Sequence, residues 1–137
     1  MKKLSIFLNL ILFFSKSFSS LKWKKVSTNK NEDSFYVNES EITKNNNLYT
    51  FLVLISSPSK ADSKHSGIKS ITIRIQCECS DFKYTTKEIF LHTDYMGKGE
   101  RKISSRYDVM NFNSPNFWTF ASKDSSEESV LKFVCSK

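Results

Sequence analysis

Three cysteines, Cys77, Cys79 and Cys135, and two histidines, His65 and His92, carry most of the reactive chemistry available to this 137-residue chain. Cys77-Glu78-Cys79 with His92 has the donor types of a soft-metal site. Structural zinc sites, however, space paired cysteines by two or more residues and need four ligands, so packing plus a disulfide accounts for the pair better. A thiol served by His65 or His92 as base would make a nucleophile. Nothing along the chain brings either histidine to a cysteine, and His65 in a polar loop and His92 beside Thr93 and Asp94 both read as solvated. Glu127 and Glu128 are adjacent, not opposed across a cleft, and they complement the dipole at a helix start. Gly97-x-Gly99 lacks the third glycine and the strand-to-helix setting of a dinucleotide site, so it reads as a turn. Asn38-Glu39-Ser40 is a glycosylation sequon only in a eukaryotic secretory route. The expectation is a domain with no catalytic, cofactor-binding or metal-binding set.

Where the chain works bears on the cysteines. Lys2 and Lys3 precede an apolar run from Leu4 to Phe14, and Ser17 and Ser19 stand at the −3 and −1 positions of a cut before Ser20. That order is an export signal over residues 1–19, leaving 20–137 as one mature domain in the periplasm or outside the cell. The apolar run is shorter than the roughly 20 residues that span a bilayer, and no cysteine near the cut offers a lipid anchor. In an oxidising compartment two of the three cysteines pair. Cys77 and Cys79 are too close along one strand to bridge each other without strain, so Cys135 joins one of them. Closing a loop of about 57 residues stabilises the fold by ~4 kcal/mol on a chain-entropy basis.

The formal charge of +7 falls to +4 once the signal leaves, with 18 basic against 14 acidic residues. The charges are interspersed, with Lys22, Lys24 and Lys25 the only tight basic group, which argues against nucleic acid as a partner. The chain also holds 12 Phe, 5 Tyr and 2 Trp. Those outside the signal fall mostly on core-facing strand phases; Phe112 and Phe117, in a polar stretch, are candidates for exposed anchors of a binding surface.

The elements that must position these residues are mostly strands. Residues 21–26 and 34–38 suit a hairpin with a loose loop, and Asn45-Asn46-Asn47 marks a turn. Leu48–Ile55 is almost wholly apolar and reads as a central strand buried on both faces. After a polar loop at 56–67, strict alternation puts Ile71, Ile73, Ile75, Cys77 and Cys79 on one face and Thr72, Arg74, Gln76 and Glu78 on the other. Phe82–His92 continues as a strand, 96–100 turns, and Trp118–Phe120 has strand character, while 101–117 carries no clear pattern. Ser125 with Glu128 forms a capping box that opens a helix over Ser126–Cys135. The fold class is α+β, an antiparallel sheet with a short C-terminal helix tied to it by a disulfide.

The order of these residues resembles the surface-adhesin protein E-like family of small exported bacterial domains. The resemblance runs from Trp23-Lys24-Lys25-Val26 through Phe35-Tyr36-Val37-Asn38, Ile42, Lys44 and Tyr49–Ile55. It continues through Cys79 with Phe82-Lys83-Tyr84, Met96-Gly97-Lys98-Gly99 and Trp118, and ends at Val130-Leu131-Lys132-Phe133-Val134-Cys135. It implies a sheet packed with helix and places Cys79 where the family's mid-chain cysteine pairs with the C-terminal one, here Cys135. Cys77 is then an extra thiol, and Lys123-Asp124-Ser125 departs from the family's usual Pro-Gly-Ser-like turn. Founding members bind host matrix and plasma proteins, although no binding motif is matched residue by residue. The reading is a non-catalytic exported binding domain whose partner is a protein or peptide. The alternatives are a small thiol-dependent or redox enzyme using Cys77 and a purely structural envelope component.

Overall fold

The computed structural model describes residues 22–58, 67–104 and 117–137. The expected signal at 1–19, His65 and Phe112 lie outside them. The longest apolar run, Leu48–Ser56 (β4), sits mid-sheet because every residue from Phe51 to Ser56 is buried and needs cover on both faces. The strand with strict alternation, Ser70–Glu78 (β5), pairs antiparallel with it in register, Val53 opposite Ile73 and Tyr49 opposite Cys77. Lys83–His92 (β6) pairs with β5 on the far side, shifting register between Arg74 and Ile75.

Trp23–Thr28 (β1) and Ser34–Asn38 (β2) form a hairpin whose second strand runs beside β4. The link between them is tighter than the loose loop expected from sequence. Asn29 Oδ1 accepts from Asn31 N at 3.0 Å and from Asp33 N at 2.9 Å, so one side chain replaces the backbone partners the turn lacks.

Two elements were not foreseen. Thr43–Asn45 (β3) is fully exposed and pairs with β4 across a turn in which Asn46 takes a φ of 57°. Arg101–Ser104 (β7) pairs with the C-terminal half of β6, while Thr119–Phe120 (β8) pairs with its beginning. Among the described residues, then, eight strands make one antiparallel sheet in the order β1-β2-β4-β5-β6-β7, with β3 alongside β4 and β8 alongside β6.

The helix covers Ser126–Cys135 (α1), as its capping pattern predicts. Ser125 Oγ accepts from Glu128 N at 3.1 Å, but the reciprocal half of the box is displaced by one residue. Glu128 Oε1 accepts from Asp124 N at 3.3 Å, and Ser125 N donates instead to Ser122 O at 3.2 Å. Val130, Leu131 and Val134 project from one side of α1 onto Phe35, Val37, Val53, Ile73 and Ile89, which closes the core. Ser27 Oγ and Ser126 Oγ meet at 3.0 Å, fixing the start of the helix to β1, and Lys137 Nζ reaches Glu39 at 2.6 Å at its other end. Among the described residues no helix is long and apolar enough to cross a membrane.

Candidate functional site

The chemistry-bearing residues are divided between the two ends of the β5–β6 pair. At one end β5 stops after Glu78, the chain turns at Cys79, and the last residue of α1 arrives beside it. A disulfide joins Cys79 to Cys135, with Cα atoms 5.7 Å apart and 56 residues between them in sequence. Cys77 is a free thiol, wholly buried in the core face opposite Tyr49 and Tyr84. All three sulfurs lie within 4.8 Å of one another. Burial pushes the Cys77 thiol up to about 12, opposed only in part by a backbone hydrogen bond at Tyr49. At neutral pH it is a protonated thiol rather than a nucleophile. Two of the three sulfurs are already committed to each other, so the folded, oxidised cluster offers one thiol as a ligand.

At the other end lies His92, paired in register with Ser70, seven residues along β5 from Cys77. At about 3.3 Å per residue that separation is roughly 23 Å, and the two side chains occupy opposite faces of the sheet. The metal and nucleophile arrangements that needed Cys77 and His92 together are therefore not assembled. His92 is also not the solvated residue its position beside Thr93 and Asp94 suggests. It is only 1% exposed, and its Nε2 lies 2.8 Å from Thr72 Oγ1. Burial, aided by the charge of Arg101, lowers its pKa to about 4.

The turn after β6 helps explain the burial. Thr93 N donates to Glu100 O, Ser70 Oγ accepts from Gly97 N at 2.9 Å, and Met96 N donates to Ser56 Oγ at 3.1 Å. The turn is thereby bound to the ends of β4 and β5. Its glycines serve backbone geometry, as expected: Gly97 and Gly99 have φ of 71° and 78°.

Glu127 and Glu128 stand in the first turn of α1. Glu128 is held below the usual carboxylate range, chiefly by its hydrogen bond with Lys132. Burial raises Tyr84 to about 12, and the charge of Glu127 adds to it. Among the described residues neither glutamate is part of a grouped acidic set. Asn38 is fully buried, and its Oδ1 accepts from Ser40 Oγ at 2.8 Å, so the sequon is closed within the folded domain.

What the structure leaves exposed along one edge of the sheet is apolar. Among the described residues, the large hydrophobic side chains open to solvent are Ile103 at 77%, Phe117 at 59%, Trp118 at 36% and Phe120 at 67%. All four belong to the outer edge of β6, at two places: Phe117, Trp118 and Phe120 lie in or lead into β8, beside the start of β6 at Lys83, and Ile103 is on β7, beside Phe90, seven residues or roughly 23 Å along. Lys83 lies 5.7 Å from the Trp118 ring centroid and forms ion pairs with Glu78 at 3.4 Å and Asp81 at 3.9 Å. Loops that the core does not need, 56–67 and 106–117, are further candidates for a binding surface, and their described parts are Ser56–Pro58 with Gly67 and, of 106–117, Phe117 alone. Ile103 escaped the sequence reading because the short, charged stretch Arg101–Ser104 has little strand pattern; its alternate position beside Lys102 was the one available signal.

Comparison with proteins of known sequence and structure is consistent with this architecture. No curated protein matches the chain in sequence. Among solved structures, a second crystal form of Haemophilus influenzae protein E superposes with a TM-score of 0.60 at 11% identity, covering 86% of this chain and 91% of that one. A further Haemophilus influenzae protein E structure gives 0.60 at 11%, covering 88% and 90%. Protein E from non-typeable Haemophilus influenzae gives 0.57 at 12%, covering 83% and 75%. At such identities the likeness is one of fold. The sequence itself matches the family described as surface-adhesin protein E over residues 23–136, from the first strand to the last turn of the helix, and the chain belongs to that family.

Proposed function

We propose that this chain is an exported, non-catalytic adhesin-like domain that binds a protein or peptide of a host surface through the outer edge of β6. The observation that carries the reading is the exposure of Phe117, Trp118 and Phe120 together where β8 meets the start of β6, with Ile103 exposed farther along the same edge. Large apolar side chains concentrated on one edge of a small domain mark a contact surface, and aromatics supply contact area at low entropic cost. Family membership supports the adhesin class, and the sequence of residues 1–19 supports export before Ser20. Among the described residues the edge carries no assembled nucleophile and base, and the reading is of binding rather than turnover. The edge draws its specificity from shape and from Lys83 with its two acidic neighbours, and it requires neither a metal nor an organic cofactor.

The test is binding of the mature domain to immobilised matrix and plasma proteins, compared with a Phe117→Ser, Trp118→Ser, Phe120→Ser triple variant. These exposed side chains contribute little to the core, so circular dichroism should be unchanged while affinity falls at least tenfold. Retention equal to wild type would refute the placement of the site. Turnover of a substrate abolished by Cys77→Ala or His92→Ala would refute the non-catalytic reading.

A further inference from the structure

We propose that the three sulfurs hold a disulfide with two positions, in which the Cys79–Cys135 bond passes to Cys77–Cys135 and the free thiol moves from the core to Cys79. The geometry is that of a short relay. Cys77 is on the core face of β5, Cys79 follows two residues on, just past the strand's end, and the three sulfurs lie within 4.8 Å of one another. The two partners that must shift are the ones free to do so. Cys79 lies beyond the last paired residue of β5, in a turn and half-buried, and Cys135 is the last residue of α1. Cys77 need not move far, held opposite Tyr49 and Tyr84. The remaining pairing, Cys77 with Cys79, is disfavoured because residues two apart on a strand are about 6.6 Å apart with parallel Cβ directions, at the limit of a bridge's reach.

The step balances without any outside reagent. Cys77 gives its proton to hydroxide, and its thiolate attacks Sγ of Cys135. The Cys77–Cys135 bond forms as the Cys79–Cys135 bond breaks, and Cys79 leaves as a thiolate that takes a proton from water. One disulfide and one thiol remain, and nothing is oxidised or reduced overall. What changes is location: the thiol goes from a wholly buried site to one beside exposed Ser80 and Asp81. Cys79 thus becomes the site at which reagents or a partner's disulfide would modify the protein. Burial keeps the Cys77 thiol protonated near neutrality, which makes its attack on the Cys79–Cys135 bond slow there.

The relay is tested by incubating the oxidised full-length protein, without denaturant, with iodoacetamide at pH 8 and pH 9. Acidic quenching and cleavage after Glu78 by a glutamate-specific protease then put Cys77 and Cys79 on separate peptides. The expected product carries the label on Cys79 with Cys77 joined to Cys135, formed about tenfold faster at the higher pH because the thiolate fraction rises tenfold per unit. Label on Cys77 with the Cys79–Cys135 bond intact, or no label at either pH, would overturn the proposal. A second variant checks the geometry independently. Cys79→Ala oxidised with glutathione disulfide, which accepts the two electrons and two protons of the thiols, should close a Cys77–Cys135 bond; a folded variant retaining both thiols would overturn the relay equally. Should Cys79→Ala not fold, the labelling of the wild-type protein decides alone.

Discussion

Replacing His92 by Gln should remove most of the acid sensitivity that belongs to the far face of the sheet. The imidazole is 1% exposed, lies 2.8 Å from Thr72 Oγ1, and has its pKa lowered from an ordinary 6.5 to about 4 by burial and by the charge of Arg101. The unfolded chain therefore takes up this proton near pH 6.5, and the folded chain does so only near pH 4. Between those values the unfolded state binds more protons, so stability rises with pH. The His92 contribution is complete above about pH 6.5, declines as pH falls, and is exhausted near pH 4. A displacement of that size corresponds to about 3 kcal/mol, a large part of a small domain's stability. Gln keeps an amide near the position of Nε2, able to meet Thr72, and does not titrate. Urea unfolding measured from pH 7.5 to pH 4 on both proteins supplies the test. Glu39, Glu78 and Glu128, all held below their ordinary range by hydrogen-bonded neighbours, also cost stability in acid. They do so in both proteins and cancel in the difference. That difference should change by about 3 kcal/mol across the window, to the disadvantage of wild type in acid. A flat difference, or one of opposite sign, would refute the burial argument.

Leu131→Ala removes a side chain only 2% exposed where α1 meets the sheet, and should cost about 2–5 kcal/mol in denaturant unfolding. Ser125→Ala deletes the acceptor for Glu128 N and should cost about 1 kcal/mol, with helix content read by circular dichroism. In Gly99→Ala the new Cβ would meet Thr93 Oγ1 and the Asp94 backbone at a φ of 78°; thermal unfolding should show a loss of at least about 1 kcal/mol. The exported protein should begin at Ser20 by mass spectrometry, and an intact Met1 on envelope material would defeat that expectation.

The sequence announced an element wherever burial forced a pattern on it. Leu48–Ile55 could be read as a central strand because both faces of β4 need apolar cover, and α1 because Ser125 and Val130, Leu131 and Val134 mark its start and its inner side. Thr43–Asn45 left no such trace. Its three exposed residues are a strand only because β4 offers unpaired backbone beside them. His92 was misjudged for a related reason: burial at a strand end depends on what folds over it, and the neighbouring turn is secured by Ser56 and Ser70, distant in sequence. For the cysteines, strand phase alone placed both Cys77 and Cys79 inward. What distinguishes them is that β5 ends between them, at Glu78, just where α1 delivers Cys135.

The same dependence on neighbours explains how the outer edge of β6 can be apolar without being an open invitation to strand pairing. A long, flat edge recruits other strands through its backbone, and proteins counter this with short strands and charge. Here β7 has four residues, two of them Arg101 and Lys102, and β8 has two. Among the described residues neither supplies enough contiguous backbone for an added strand to pair with at length. The exposed side chains are left as the features a partner can read. Recognition at this edge should accordingly depend on Phe117, Trp118 and Phe120 and on the charge of Lys83 more than on main-chain hydrogen bonds. Ile103→Pro, which removes one backbone N–H from β7, should therefore weaken binding no more than Ile103→Ala and far less than loss of the aromatics; a further loss with proline over alanine, equal to that of the aromatics, would show that the partner joins the sheet as a strand instead.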